Sequence, residues 1–272
     1  MNQRMTDPTF TLALPHLALI RVAGTDADTF LQGQLSNDVR QLTPARAQLT
    51  SLSSPRGRLL AVFHAFRAGE TLLLEVDRSL LEPALKRLRM HVLRAKVTLA
   101  EATDLAVYGA WGKGVVPALV TARLKAPDVD LGCARDGEMI VTRRLGMPER
   151  YTLIVPSGQS PSLGSPPATP LDWKRLELAA GIPAIYPATQ DRFVAQMLNL
   201  DALGGIAFDK GCYTGQEVIA RVHYRGEVKR HMRLVTLDGP APAPGAKLPE
   251  GEVVDSVARA DGRSDALVVG AA

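Results

Sequence analysis

Residues 208–221 read FDKGCYTGQEVIAR, and this short stretch gathers Lys210, Gly211, Cys212, Tyr213, Gly215, Gln216 and Glu217. Glycines on both sides of the Cys212–Tyr213 pair allow backbone conformations that a β-carbon blocks. The spacing therefore predicts a tight turn that presents the thiol just before a helix starting near Gln216. The Lys210 ammonium and the positive end of that helix would both favour a thiolate. Cys212 and Lys210 are thus the candidate reactive pair. The competing reading makes Cys212 a small buried hydrophobe, the common fate of a free cysteine. Cys133, in LGCAR, lacks the paired glycines and the neighbouring lysine and reads as inert filler.

Outward from the motif, FLQGQLSNDV at 30–39 sets Gln32, Gln34, Ser36, Asn37 and Asp38 around the end of a predicted helix. Such groups either line a pocket or cap and turn the backbone. SPRGR at 54–58 is a turn whose two arginines meet a carboxylate-bearing ligand or face solvent. Trp173, one of two tryptophans, opens a helix expected over 171–180, where a flat ring can wall a cleft or simply pack.

The rest of the chain alternates strand and helix signals. Strands are expected at 18–22, 57–66, 71–76 and 96–99, with Ala68, Gly69 and Glu70 as a hairpin connection. Helices are expected from Asp26 towards Leu35, with Thr25 as N-cap, and from Asp77 or Ser79 to about Leu93. Further strands at 105–110 and 151–155 flank a helix at 115–124. Residues 158–170, GQSPSLGSPPATP, read as a linker. Short strands at 234–237 and 252–257 form a small terminal β module. The fold class is α+β with antiparallel pairing. Its divisions are 1–158, an α+β region including a ferredoxin-like unit, 171–233, which carries the motif, and 234–272.

Apolar residues make up 46% of the 272 and charged residues 22%, a globular balance. No apolar run approaches the ~20 residues that span a bilayer, and no secretory signal opens the chain, so the expected location is cytoplasmic. Two cysteines form no disulfide framework. The five histidines show no ligand spacing, so no metal is expected. Nucleotide-binding glycine loops and the G-x-S-x-G elbow are absent. The net charge is +4, with basic residues gathered at 86–96 and at 221–233. The first run, KRLRMHVLRAK, has helical apolar spacing and reads as an amphipathic helix with a solvated basic face, which makes nucleic acid the weaker candidate partner.

KGCYTGQEVIAR resembles the signature of the YgfZ family, relatives of the glycine-cleavage aminomethyltransferase. FLQGQLSNDV, SPRGRL, LAAGIP at 178–183 and QMLNLDALGGIAFDKG at 196–211 resemble the family in the same order, so the likeness runs from about residue 12 to 235. It implies a three-part aminomethyltransferase-like fold around a pterin cleft, with a short C-terminal β module. It also implies tetrahydrofolate or a derivative as cofactor and an accessory role in making or repairing iron–sulfur proteins. Iron–sulfur clients or their assembly machinery would be the partners. The residues it assigns to folate are Trp173, Leu17, Asn37, Asp38, Gln196, Tyr213, Gln216 and Glu217. Three positions depart from the pattern. Leu17 stands where the family has the first of two clamping tryptophans, and Ala179 stands where the transferases carry a pterin-binding glutamate. LLLEVDRSLLEP at 72–83 lacks the Ser-Asn-Ala lead-in to the transferase base. A tetrahydrofolate-dependent one-carbon transferase is therefore the alternative function, and a tRNA-modification or RNA-binding module using the basic helix is the second.

Overall fold

The computed structural model describes residues 7–161, 163 and 166–271, and among these lie three antiparallel sheets. The first has the order Gln48–Ser53, Leu59–Ala68, Thr71–Asp77, Leu17–Ala23, Thr98–Glu101. Its central hairpin turns through Gly69 and Glu70, and Gly69 takes the left-handed φ of 65° that so tight a reversal needs. Strand alternation then sorts the side chains by face. Ile20, Val22, Phe63, Leu72 and Leu74 face helices Ala27–Gln32 and Leu81–Arg89 in the largest core. Leu19, Phe66 and Leu73 face the opposite way and pack with Trp111, Ile140, Ile154 and Trp173.

The second sheet has the order Phe10–Ala13, Leu105–Trp111, Arg150–Pro156, Met139–Arg143, Cys133–Asp136. Its outer face, with Ala110, Tyr151, Leu153 and Val155, is covered by helix Val115–Thr121. The third sheet joins Arg230–Asp238, Arg263–Ala271, Gly251–Ala258 and Lys247–Leu248, and sends Val254, Val257, Leu267 and Val269 into the largest core. Helix Pro170–Ala179 bridges all three. Its Trp173 lies in the core between the first two sheets, while Lys174 meets the Asp255 carboxylate at 2.6 Å and Arg175 donates to the Ala258 carbonyl at 2.8 Å.

The α+β class expected from the sequence is the class observed, with differences at element ends. Thr25 does not cap the first helix. Asp26 precedes it and spends its carboxylate on the Lys96 backbone N–H instead. Asp77 caps a short 3₁₀ turn, and the following helix stops at Arg89 rather than Leu93, its exit tightening into i→i+3 bonds from His91 and Val92. Six strands were not expected from the sequence: Phe10–Ala13, Gln48–Ser53, Cys133–Asp136, Met139–Arg143, Lys247–Leu248 and Arg263–Ala271. Phe10–Ala13 is an edge strand paired to Leu105–Trp111, and Arg263–Ala271 is the central strand of the third sheet. Positions 162, 164 and 165 of the expected linker lie outside the described residues. Among the described residues, no helix is long and apolar enough to cross a membrane.

Gly109 lets the second sheet approach the bridging helix, because a β-carbon there would sit 2.5 Å from Cε3 of Trp173. Gly109→Ala should therefore cost about 1–3 kcal/mol in urea unfolding through overpacking. Gly211→Ala, whose added methyl meets nothing within 4 Å, should change stability by less than about 0.5 kcal/mol.

Candidate functional site

A central pocket of about 100 Å³ opens where the first sheet, the second sheet and the bridging helix converge. Its floor follows from strand register. Leu17 pairs with Asp77 and His64 with Glu75, so Leu17, Val62, His64, Glu75 and Asp77 present alternate side chains of three adjacent strands to one face. Trp173 and Glu177, four residues apart on the helix, form one wall. Arg144 enters from the turn after Met139–Arg143, and Tyr186 and Asp255 close the far side.

The pocket is lined by charge that water barely reaches. Arg144 bonds Glu75 at 2.7 Å through Nη1 and Glu177 at 2.9 Å through Nη2, and Arg150 Nε bonds Glu177 at 2.7 Å. Burial alone would raise the Glu177 pKa, but the two guanidiniums more than reverse this and hold it far below the usual carboxylate range. Glu75 is shifted the other way, because burial outweighs its one arginine and pushes its pKa up. Burial holds His64 well below its ordinary value, so the ring is neutral, with Arg144 nearby adding to the effect. Three buried polar atoms of this lining have no protein partner: Glu75 Oε2, His64 Nε2 and Arg144 Nε. On the far side, Tyr186 donates to Asp255 at 2.9 Å.

Of the residues singled out in the sequence, Leu17 and Trp173 meet in this pocket. The others gather elsewhere. Asn37 donates to the carbonyls of Leu49 and Gly204, both at 2.8 Å, and the Asp38 carboxylate is held by Arg40 and Gln32. Hydrogen bonding from Arg40 lowers its pKa to about 2. Buried Gln196 donates to the Ile219 carbonyl at 2.7 Å. The Lys210 ammonium points inward, not along the surface: it donates to Leu35 and Asn37 carbonyls at 2.6 and 2.8 Å and lies 4.9 Å from the Tyr213 ring. Burial lowers its pKa to about 8, and burial raises that of Tyr213 to about 12.

Cys212 is exposed, and helix Gln216–Arg225 begins directly behind it. Gly215 caps that helix at φ 84°, where a β-carbon would meet the Ser54 carbonyl oxygen at 2.6 Å. Gln216 accepts from the Tyr213 N–H at 3.1 Å and so holds the turn, while Glu217 faces solvent. Cys133 is half-buried against Thr142, and burial raises its pKa.

No protein-family model matches this sequence. The tRNA-modifying protein YgfZ of Escherichia coli O157:H7 is 30% identical over 235 residues, covering 84% of this chain and 72% of that one. The chain belongs to the YgfZ family. A YgfZ from Pectobacterium carotovorum is 32% identical over 225 residues, 80% of this chain and 68% of that one. In three dimensions the YgfZ-family chain is similar to the glycine cleavage system aminomethyltransferase T from Bartonella henselae, with a TM-score of 0.78 at 16% identity over 97% of this chain and 79% of that one. This establishes the aminomethyltransferase-like fold.

Sequence reasoning missed Glu75, Arg144, Glu177 and His64. A readable signal was the lone carboxylate of LLLEV at 72–76, an acid within a buried strand. Arg144 had none, since it reaches the pocket only through tertiary folding.

The His64 and Glu177 shifts set an acid limb to stability, which the raised pKa of Glu75 opposes. Neutral His64 takes up no proton in the fold, whereas the unfolded chain does so below its ordinary pKa of 6.5. Glu177 stays ionised while the unfolded chain protonates below the ordinary 4.5. Both contributions are lost as pH falls, each with a limiting slope of about 1.4 kcal/mol per pH unit. Urea melts should show His64→Asn flattening the decline between pH 7 and 5. Glu177→Gln should flatten it below about pH 4.5 and should cost about 3–5 kcal/mol at pH 7, because two buried guanidiniums lose a counter-charge.

Proposed function

We propose that the chain binds a reduced folate in the central pocket and acts as an accessory factor for iron–sulfur proteins through Cys212. The curated relatives are named as tRNA-modifying proteins, and modification of tRNA is the process we assign it to serve. The observation that carries the reading is a pocket that joins an apolar aromatic wall at Trp173 to the unpartnered polar atoms Glu75 Oε2, His64 Nε2 and Arg144 Nε. A pterin is a flat heterocycle edged with amine donors and ring acceptors. Glu75 supplies the acceptor for an amino group, Arg144 the donor for a ring oxygen, and Trp173 and Leu17 the apolar faces. These residues fit the group, and Glu75 and Glu177 supply carboxylates although Ala179 does not. One-carbon transfer is the chemistry a bound tetrahydrofolate would bring. Cys212 belongs to a separate, exposed loop, where a thiol reaches a macromolecular partner without opening the pocket.

Adding tetrahydrofolate should quench tryptophan emission. Trp173→Phe should reduce the response, and Glu75→Gln should weaken binding while the far-ultraviolet dichroism is retained. Leu17→Trp should tighten binding by ~0.5–1.5 kcal/mol through a second aromatic face. An unchanged response in Trp173→Phe and Glu75→Gln together rejects the pocket. Steady formation of methylenetetrahydrofolate from an aminomethyl donor would replace the accessory reading with the transferase.

Because Cys212 is exposed, Cys212→Ser should leave the melting temperature unaltered and yet fail to restore iron–sulfur enzyme activity and tRNA modification in cells lacking the protein. Full restoration would remove the thiol from the function.

A further inference from the structure

We propose that the C-terminal half of helix Gln216–Arg225, with the connection that follows it, is a docking surface for single-stranded RNA. This rests on the tRNA-directed part of the proposed function and is independent of folate. Phe208, from the motif loop, stacks on His223 with ring centroids 3.7 Å apart and an interplanar angle of 13°. Tyr224 meets His223 edge-on at 4.6 Å and is 67% exposed. An exposed, braced aromatic group adds nothing to a core, but it offers a base a π-face to stack on.

Charge frames these rings. Residues 216–233 carry Arg221, Arg225, Lys229, Arg230 and Arg233, all exposed, against Glu217 and Glu227. Arg221, Arg225 and Lys229 pair with no carboxylate among the described residues, and Arg230 and Arg233 bond only backbone carbonyls. The helix dipole accounts for a cation at Arg225 but not for the three beyond Gly226. An apolar recess of about 260 Å³, formed by Val194, Met197, Val222 and Val228, opens beside Lys229 and Arg230, and its two cations outnumber the one carboxylate of the lining, Glu227, so that it suits a flat base next to a phosphate. By contrast, the basic residues at 86–96 flank no exposed aromatic stack, and Arg89 is drawn onto the Leu99 carbonyl. An acidic polypeptide would use the cations and ignore Tyr224.

The test is fluorescence anisotropy of the full chain with a fluorescein-labelled, unstructured oligoribonucleotide at several salt concentrations. Binding should weaken steeply with salt. Tyr224→Ala should lower affinity roughly tenfold without changing the salt slope. Arg221→Gln combined with Arg225→Gln should reduce that slope by about one to two. Melting temperatures should hold, since all three side chains are exposed. Absence of salt-dependent binding, full affinity in Tyr224→Ala, or equal competition by polyglutamate would each overturn the proposal. The tetrahydrofolate response of Tyr224→Ala separates the two readings. If RNA binding is absent and the response persists, the surface alone is wrong, whereas loss of the response in the unmodified chain tells against the pocket.

Discussion

Four buried charges, Glu75, Glu177, Arg144 and Arg150, tie together the parts of this molecule that sequence leaves far apart. Glu75 lies mid-strand in the first sheet, Arg150 opens a strand of the second, Arg144 sits in the turn between two of that sheet's strands, and Glu177 rides the bridging helix. None can be buried alone, since an isolated charge in a protein interior costs several kcal/mol. Glu75 pairs with His64 across the first sheet and meets Arg144 from the second, while Glu177 meets both arginines from the helix that also carries Trp173.

Stability alone does not explain such a network, because well-packed apolar side chains of similar volume usually serve as well or better. What the charges provide, and leucines would not, is a polar wall next to an aromatic one. Glu75, His64 and Arg144 all line the pocket, and each keeps one buried polar atom without a protein partner. A site that kept every polar atom satisfied internally would have nothing left with which to recognise a heterocycle.

The legibility of these features in the sequence depended on whether their cause was local. Eight of the fourteen described strands, and the helix positions, were readable because period-2 and period-3.6 patterns are local, and the hairpin at Gly69 because a left-handed residue is a local need. The turn that presents Cys212 was readable for the same reason, although of its two glycines only Gly215 takes a left-handed φ, while Gly211 has open space around it. Lys210 was misjudged because a sequence neighbour of a thiol need not be its spatial neighbour: the side chain folds back under the loop to bind Leu35 and Asn37 carbonyls. Asn37 and Asp38 do the capping and bridging that polar residues at helix ends commonly do, not pocket lining. Strand Arg263–Ala271 was missed because a central strand buried on both sides shows no alternation to detect.

The pocket and the thiol loop are served by the middle of one strand and by the turn that precedes it. Val62 and His64 of Leu59–Ala68 floor the pocket. Just before that strand, the 54–58 turn packs its Gly57 against Val218 and receives Gly215 at the Ser54 carbonyl. At about 3.3 Å per residue, Gly57 and Val62 stand on the order of 16 Å apart. The turn is itself braced, by Ser54 donating to Asp191 at 2.7 Å and by Arg58 on the Arg192 carbonyl. Neither Gly57 nor Gly215 has room for a β-carbon, because the thiol loop and the 54–58 turn lie in close contact there. The loop that carries the thiol thus packs, through Gly215, on the turn that leads into the strand whose Val62 and His64 floor the pocket, so the contact between the two regions runs through backbone.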